Sequence, residues 1–130
     1  MDRRHALIGL LCGTGIAAAL SARALAQSAS DAELLMFDDT GCPYCRQWHR
    51  EVGAAYRNSP EGRRAPLRVI QLRGPRPEGI TLASPVRATP TFVLVQEGRE
   101  VGRLTGYGGQ DFFWSMLAEQ MKKLKKGTAA

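Results

Sequence analysis

The sequence is poor in the side chains that bind metals. Of its 130 residues three are cysteines (Cys12, Cys42 and Cys45) and two are histidines, His5 and His49. A closed structural zinc site takes about four such ligands. From Gln27 onward the chain has only Cys42, Cys45 and His49, which argues against an internal zinc centre. Covalent haem attachment requires a histidine directly after the second cysteine of a C-x-x-C pair, and that residue here is Arg46. Long apolar runs are also missing. The stretch Ala6–Leu20 is interrupted by Gly9, Gly13, Thr14 and Gly15, and it falls short of the ~20 residues a membrane span needs. Aromatics make up 7% of the chain and do not interleave with basic residues into a platform for nucleic acid. Internal repeats and low-complexity segments are absent.

What is present at the N-terminus has the layout of a secretory signal peptide: Arg3 and Arg4, then the apolar run, then the small residues of Ala24-Leu25-Ala26. Cleavage is expected after Ala26. This divides the chain into a leader, residues 1–26, and one mature domain, residues 27–130, destined for the periplasm. Lipid attachment at Cys12 is disfavoured because bulky Leu11 precedes it. Arg3-Arg4 alone does not decide between general and twin-arginine export. Without Asp2, Arg3, Arg4 and Arg23 the mature part holds 15 basic and 11 acidic residues, a net charge of +4. Four of the lysines, Lys122, Lys123, Lys125 and Lys126, gather at the end of a helical pattern, where cations favour the negative end of the helix dipole.

Beyond the leader Cys42 and Cys45 are the only cysteines. A bridge between them would close a very short loop and restrain the unfolded chain little, so chemistry explains the pair better than stapling. A permanent structural bridge remains the alternative. Only a thiolate attacks a disulfide, and a free cysteine with a pKa of ~8.5 is mostly protonated at neutral pH. At a helix N-terminus Cys42 would meet unpaired N–H groups and the positive end of the dipole, both of which favour the anion. Arg46, at i+4, adds a positive charge. Cys42 would attack a partner's disulfide, and Cys45 would resolve the mixed disulfide by attacking Cys42.

The elements around the pair follow from apolar patterning. Glu33–Phe37 reads as a buried strand ended by Asp38, Asp39, Thr40 and Gly41. Pro43 suits a first helical position. The helix runs from Cys42 to about Arg57, with Cys45, Trp48, Val52, Ala55 and Tyr56 sharing one face. Asn58–Pro66 breaks the pattern, and Leu67–Leu72 is a second strand. Arg73–Pro85, rich in proline and glycine, is a loop with at most one helical turn. Thr91–Val95 and Glu100–Thr105 form a hairpin through Glu97-Gly98. A last helix spans about Gln110–Lys125, with Phe113, Met116, Leu117, Met121 and Leu124 on its inner stripe and Gly127 as its stop. Four strands flanked by helices form the economical packing for this order.

Ala88-Thr89-Pro90-Thr91 puts a proline at the start of the third strand. Together with Cys42-Pro43-Tyr44-Cys45, the Glu97-Gly98 hairpin, Gly106 and the final amphipathic helix, it makes the chain resemble the thioredoxin superfamily over about Glu33–Leu124. The resemblance implies a compact α/β thioredoxin-like fold with a four-stranded mixed sheet, lacking the extra N-terminal strand and helix of full thioredoxins. It also implies a cis Pro90 against the cysteine pair, a Thr89 backbone that meets an incoming peptide, and Gly106 bordering the substrate groove. No metal or organic cofactor is implied, the redox-active disulfide serving instead. The runs GCPYCRQWHREV and GYGGQDFFW are similar to the SoxS-type thioredoxin-like proteins of bacterial sulfur-oxidation systems. That likeness implies an exported monomer that reduces a protein disulfide or thiol adduct, such as that of a sulfur-carrier protein, with electrons from a membrane-embedded donor.

Departures from the family pattern mark what stays open. Thioredoxins carry a buried acid six residues before the first cysteine, where this chain has Met36. Asp38 is the nearest candidate acceptor for the Cys45 proton, or else a solvated residue ending the strand. His49 reads as a half-exposed helix residue or as a group tuning the thiolate. The inner pair Pro43-Tyr44 is that of glutaredoxins and raises glutathione as a substrate. Thiol oxidation or isomerisation, and a binding module with a permanent bridge, complete the alternatives. Trp48 and Phe113 read as core, whereas Phe112 or Trp114 is a candidate for exposure toward a partner.

Overall fold

The computed structural model describes residues 31–126. The expected leader, residues 1–26, and Gly127, the expected helix stop, lie outside the described residues. Strand β1 (Ala32–Asp38) leads through a turn into helix α1 (Pro43–Trp48), which continues as a π-helical turn (His49–Gly53) and helix α2 (Ala54–Arg57). A short helix α3 (Pro60–Arg64) precedes β2 (Leu67–Gln71). A long connection then reaches β3 (Thr91–Gln96), β4 (Arg99–Thr105) and helix α4 (Gln110–Met121).

The sheet order is β2-β1-β3-β4, with β1 and β2 parallel and the other neighbours antiparallel. Alternate residues of the two central strands feed opposite faces, as the period of two requires. Leu34, Met36, Phe92 and Leu94 share one core cluster with Cys45, Trp48, Val52 and Tyr56 of the first helical stretch and with Phe113 and Leu117 of α4. Leu35, Phe37, Val93 and Val95 form the other with Ile70 and Val86, against which Leu72, Ile80 and Leu82 pack. The helical core residues thus lie on one face, and side chains of the 72–90 connection cover the other. That connection holds turns and an isolated bridge between Thr81 and Arg99 but no helical turn.

Three local readings need correction. Ala55 is exposed while Tyr56 is buried. The π turn packs more residues into each revolution than an α-helix does, so the stripe slips and Ala55 swings outward. Asn58–Pro66 is not irregular throughout. Ser59 caps α3 by accepting the Gly62 N–H at 2.9 Å, and Pro60 opens the helix, the residue order a helix start favours. Helix α4 also stops at Met121, short of Lys125, with Lys122 as its cap. In the β3–β4 hairpin Glu97 and Gly98 both have positive φ, 52° and 78°, the pattern of a two-residue turn matched to strand twist.

Candidate active site

The turn Asp39–Gly41 is built so that Cys42 becomes the N-cap of α1. Asp39 accepts the Gly41 N–H on its carboxylate at 3.2 Å and the Cys42 N–H on its carbonyl at 2.9 Å. Cys42 itself is extended, with φ −88° and ψ 111°, and its sulfur takes the place of a capping oxygen by accepting the Cys45 N–H at 3.2 Å. Pro43 fills the first turn, where its missing N–H costs nothing. Across the site the Thr89–Pro90 peptide is cis, as the resemblance implied. The Cys42 thiol donates to the Thr89 carbonyl at 3.4 Å. Gly106 closes the edge by donating its N–H to the Pro90 carbonyl at 2.7 Å.

Both cysteines are free thiols, and their surroundings pull them apart. Burial opposes the Cys42 anion, but hydrogen bonds involving the Cys45 thiol, Thr89 and the N–H groups of Cys45 and Tyr44 outweigh it, so its pKa lies below the ordinary thiol value. Cys45 has no exposure at all. Burial first, then its bonds with Cys42 and Asp38, push its thiol up to about 12. Cys42 borders an open cavity of about 540 Å³ whose walls include Thr40, Tyr44, Arg73 and Thr89. Tyr44, 59% exposed, stands at its rim.

Asp38 and His49, weighed singly in the sequence, form a pair here: His49 Nε2 lies 2.9 Å from Asp38 Oδ2. Asp38 falls in phase with Leu34 and Met36 on the helix-facing side of β1, and His49 follows Cys45 by one turn, so the packing of the helix on the sheet joins them. Arg46 is not gathered in. It is exposed, and its guanidinium donates to the Thr40 carbonyl at 3.1 Å. Sequence reasoning missed Arg73, which lines the cavity and lies 3.7 Å from Asp39. It also missed Glu51, which the π turn aims at the Tyr107 hydroxyl, 2.5 Å away. Phe112 is 55% exposed, whereas Trp114 is half-buried against Tyr56. Among the described residues no three His, Cys, Asp or Glu side chains are grouped to hold a metal ion.

A C-x-x-C helix start facing a cis-proline at the head of a central strand defines a thiol–disulfide oxidoreductase of the thioredoxin fold. Residues 21–121 match the model of the thioredoxin-like domain family, and the chain belongs to that family. It is 49% identical to the periplasmic thioredoxin SoxS from Paracoccus pantotrophus, solved in its reduced form, with a TM-score of 0.69 over 71% of this chain and 97% of that one. Thioredoxin from Fasciola hepatica, 19% identical with a TM-score of 0.51 over 79% of this chain and 93% of that one, shares the fold. No curated protein matches the chain by sequence.

Proposed function

We propose that this oxidoreductase works in the periplasm after removal of residues 1–26, and that it reduces a disulfide or thiol adduct on a partner protein. Cys42 is the nucleophile and Cys45 the resolving thiol. Thr89, Pro90 and Gly106 form the strip against which the partner's peptide lies. The observation that carries this reading is the unlike placement of the two thiols, Cys42 at the helix start against the Thr89 carbonyl and the cis Thr89–Pro90 peptide, and Cys45 fully buried one turn on. A nucleophile must be ionised while its resolving partner waits as a thiol.

The compartment rests on the signal-like leader and on the periplasmic relative at 49% identity. The partner class rests on the same relative together with the resemblance to sulfur-oxidation thioredoxins, for which a sulfur-carrier protein is the fitting client. Such a reductase draws its electrons from a membrane-embedded donor, and the dithiol itself serves in place of a cofactor.

The test is a trap. Cys45→Ser removes the resolving thiol and leaves Cys42 joined to whatever it attacks. One dominant periplasmic adduct, a sulfur carrier, is the expected result. A spread of unrelated clients indicates an oxidase or isomerase, for which a reduction potential near ~−120 mV rather than ~−270 mV is the mark. A glutathione adduct alone points to glutaredoxin-like use, and no adduct refutes Cys42 as nucleophile.

A further inference from the structure

The strip proposed for the partner's peptide has one wall that is nearly bare backbone. Gly106 follows β4 and opens the run Gly106-Tyr107-Gly108-Gly109, in which Tyr107 is the only side chain. Gly106 and Gly109 both have positive φ, 85° and 101°. A Cβ on Gly106 would meet nothing within 4 Å, so that residue faces open space. Glycine loses more conformational freedom on folding than any other residue, and a wall made of it needs anchors. The Gly106 N–H, bonded to the Pro90 carbonyl at 2.7 Å, is one. The Gly109 carbonyl, which accepts the Phe113 N–H at 3.0 Å, is another. Tyr107 holds the run between them.

Tyr107 is 8% exposed, and its ring lies edge-on to Phe113 with centroids 6.4 Å apart at 65°. Its hydroxyl crosses to the π turn and donates to Glu51 Oε2 at 2.5 Å. Glu51 Oε1 in turn accepts from Gln47 Nε2, on α1, at 3.0 Å. The bonds from Tyr107 and then Gln47 hold the Glu51 carboxyl below its ordinary range. Burial first, and then Glu51, pushes the Tyr107 phenol up. The roles are therefore fixed, with a protonated phenol donating to a carboxylate. Contacts thus run without a break from the helix that carries the cysteines, through Gln47, Glu51 and Tyr107, to Gly106 and on to Pro90.

We propose that Tyr107 and Glu51 are positioning residues that lock Gly106 to the catalytic helix, so that an extended peptide substrate meets a groove already formed. This role rests on the reading that the partner's peptide lies against Thr89, Pro90 and Gly106. A loose glycine run would have to be ordered as the peptide binds, and that ordering costs affinity. The sulfur exchange itself is left to Cys42 and Cys45. A small disulfide without flanking peptide therefore gains nothing from the lock, and the device selects for protein substrates.

Two mixed disulfides with the same coloured leaving group test this. One probe is an extended, uncharged peptide whose single cysteine carries nitrothiobenzoate. The other is a lone cysteine, blocked at both ends, carrying the same group. In each case Cys42 attacks the cysteine sulfur, a disulfide forms between them, and nitrothiobenzoate leaves with the electron pair as a thiolate. The ratio of the two second-order rate constants isolates what the flanking peptide contributes, and in the wild-type protein it should be about ten or more. Tyr107→Phe keeps the ring against Phe113 but removes the donor. It should lower the peptide's constant about fivefold and leave that of the blocked cysteine within about twofold. Glu51→Leu should do the same, and Glu51→Gln, whose amide carbonyl can still accept from the phenol, should recover most of the loss.

A wild-type ratio retained in both Tyr107→Phe and Glu51→Leu overturns the positioning role. An equal fall on both probes also overturns it, because that is the mark of a general loss of structure. So does a Gln variant no better than Leu. A wild-type protein that takes both probes at one rate instead refutes the peptide strip, and the lock with it. No dye from either probe defeats Cys42 as the nucleophile, on which the whole proposal stands.

Discussion

Cys42 and Cys45 stand three residues apart on one helical turn, and each answers to its own surroundings. The Cys42 sulfur accepts an N–H from the turn it caps and meets the Thr89 carbonyl across the site, whereas Cys45 sits in the same core cluster as Trp48, Phe92 and Phe113. Against burial, hydrogen bonds from the Cys45 and Thr89 side chains and from the backbone of the first turn, with no charged neighbour among them, therefore favour the Cys42 anion. Arg46 illustrates the contrast. Its i+4 spacing suggested a cation beside the thiolate, but the side chain is exposed and occupied with Thr40, and exposed charge interactions contribute about 0–1 kcal/mol. Arg46→Ala should shift the pH midpoint of Cys42 alkylation by less than about half a unit, measured with iodoacetamide. A shift of a full unit or more would restore Arg46 to the tuning set.

At the scale of elements, the helix carrying the pair is held by contacts at its far end. Tyr56, buried at the end of the stretch, donates its hydroxyl to the Ala65 carbonyl and so ties α2 to the segment entering β2. Between them α3 folds back so closely that a Cβ on Gly62 would sit 1.9 Å from the Tyr56 carbonyl oxygen. Backbone cannot yield as a flexible side chain can, and overpacking of this kind costs about 1–3 kcal/mol. Gly62→Ala should lower the unfolding free energy by that amount while leaving Cys42 chemistry intact, which chemical unfolding and alkylation together would show.

The central strands were legible as short apolar runs between turn formers, α1 from Pro43 at its first position, and α4 from the spacing of Phe113 and Leu117. The π turn was not, because nothing local in His49–Gly53 announces an extra residue per revolution, and the misplaced Ala55 is its consequence. Helix α3 was legible in principle from Ser59-Pro60-Glu61, but a five-residue helix has too short a period to rise above its proline and glycine.

At the scale of the molecule, a four-stranded sheet with its helical core residues on one face leaves the other to the connection 72–90. That face was the least legible part of the fold. Val86, Leu72, Ile80 and Leu82 cover it without a repeating period, so no pattern of two or 3.6 marks them as core. The same connection delivers Arg73 and Thr89 to the cavity beside Cys42, so one segment both seals the second core cluster and forms part of the site. The proposed catalytic pair, Cys42 and Cys45, was singled out by its spacing together with Thr89-Pro90 far downstream. The Asp38–His49 contact was not, because it joins the end of a strand to a helix turn eleven residues on, and only the assembled layers bring them together.

The mechanism turns on the division of labour between the two sulfurs, and alkylation of the reduced protein against pH tests it most directly. Iodoacetamide reacts with thiolates, so peptide mapping at each pH reports the ionisation of each cysteine separately. Cys42, its pKa lowered, should be modified with a midpoint below that of an ordinary thiol, ~8.5. Cys45, buried and pushed up to about 12, should stay unmodified through the neutral and mildly alkaline range. Equal labelling of the two, or labelling of Cys45 first, would contradict the assignment of nucleophile and resolving thiol.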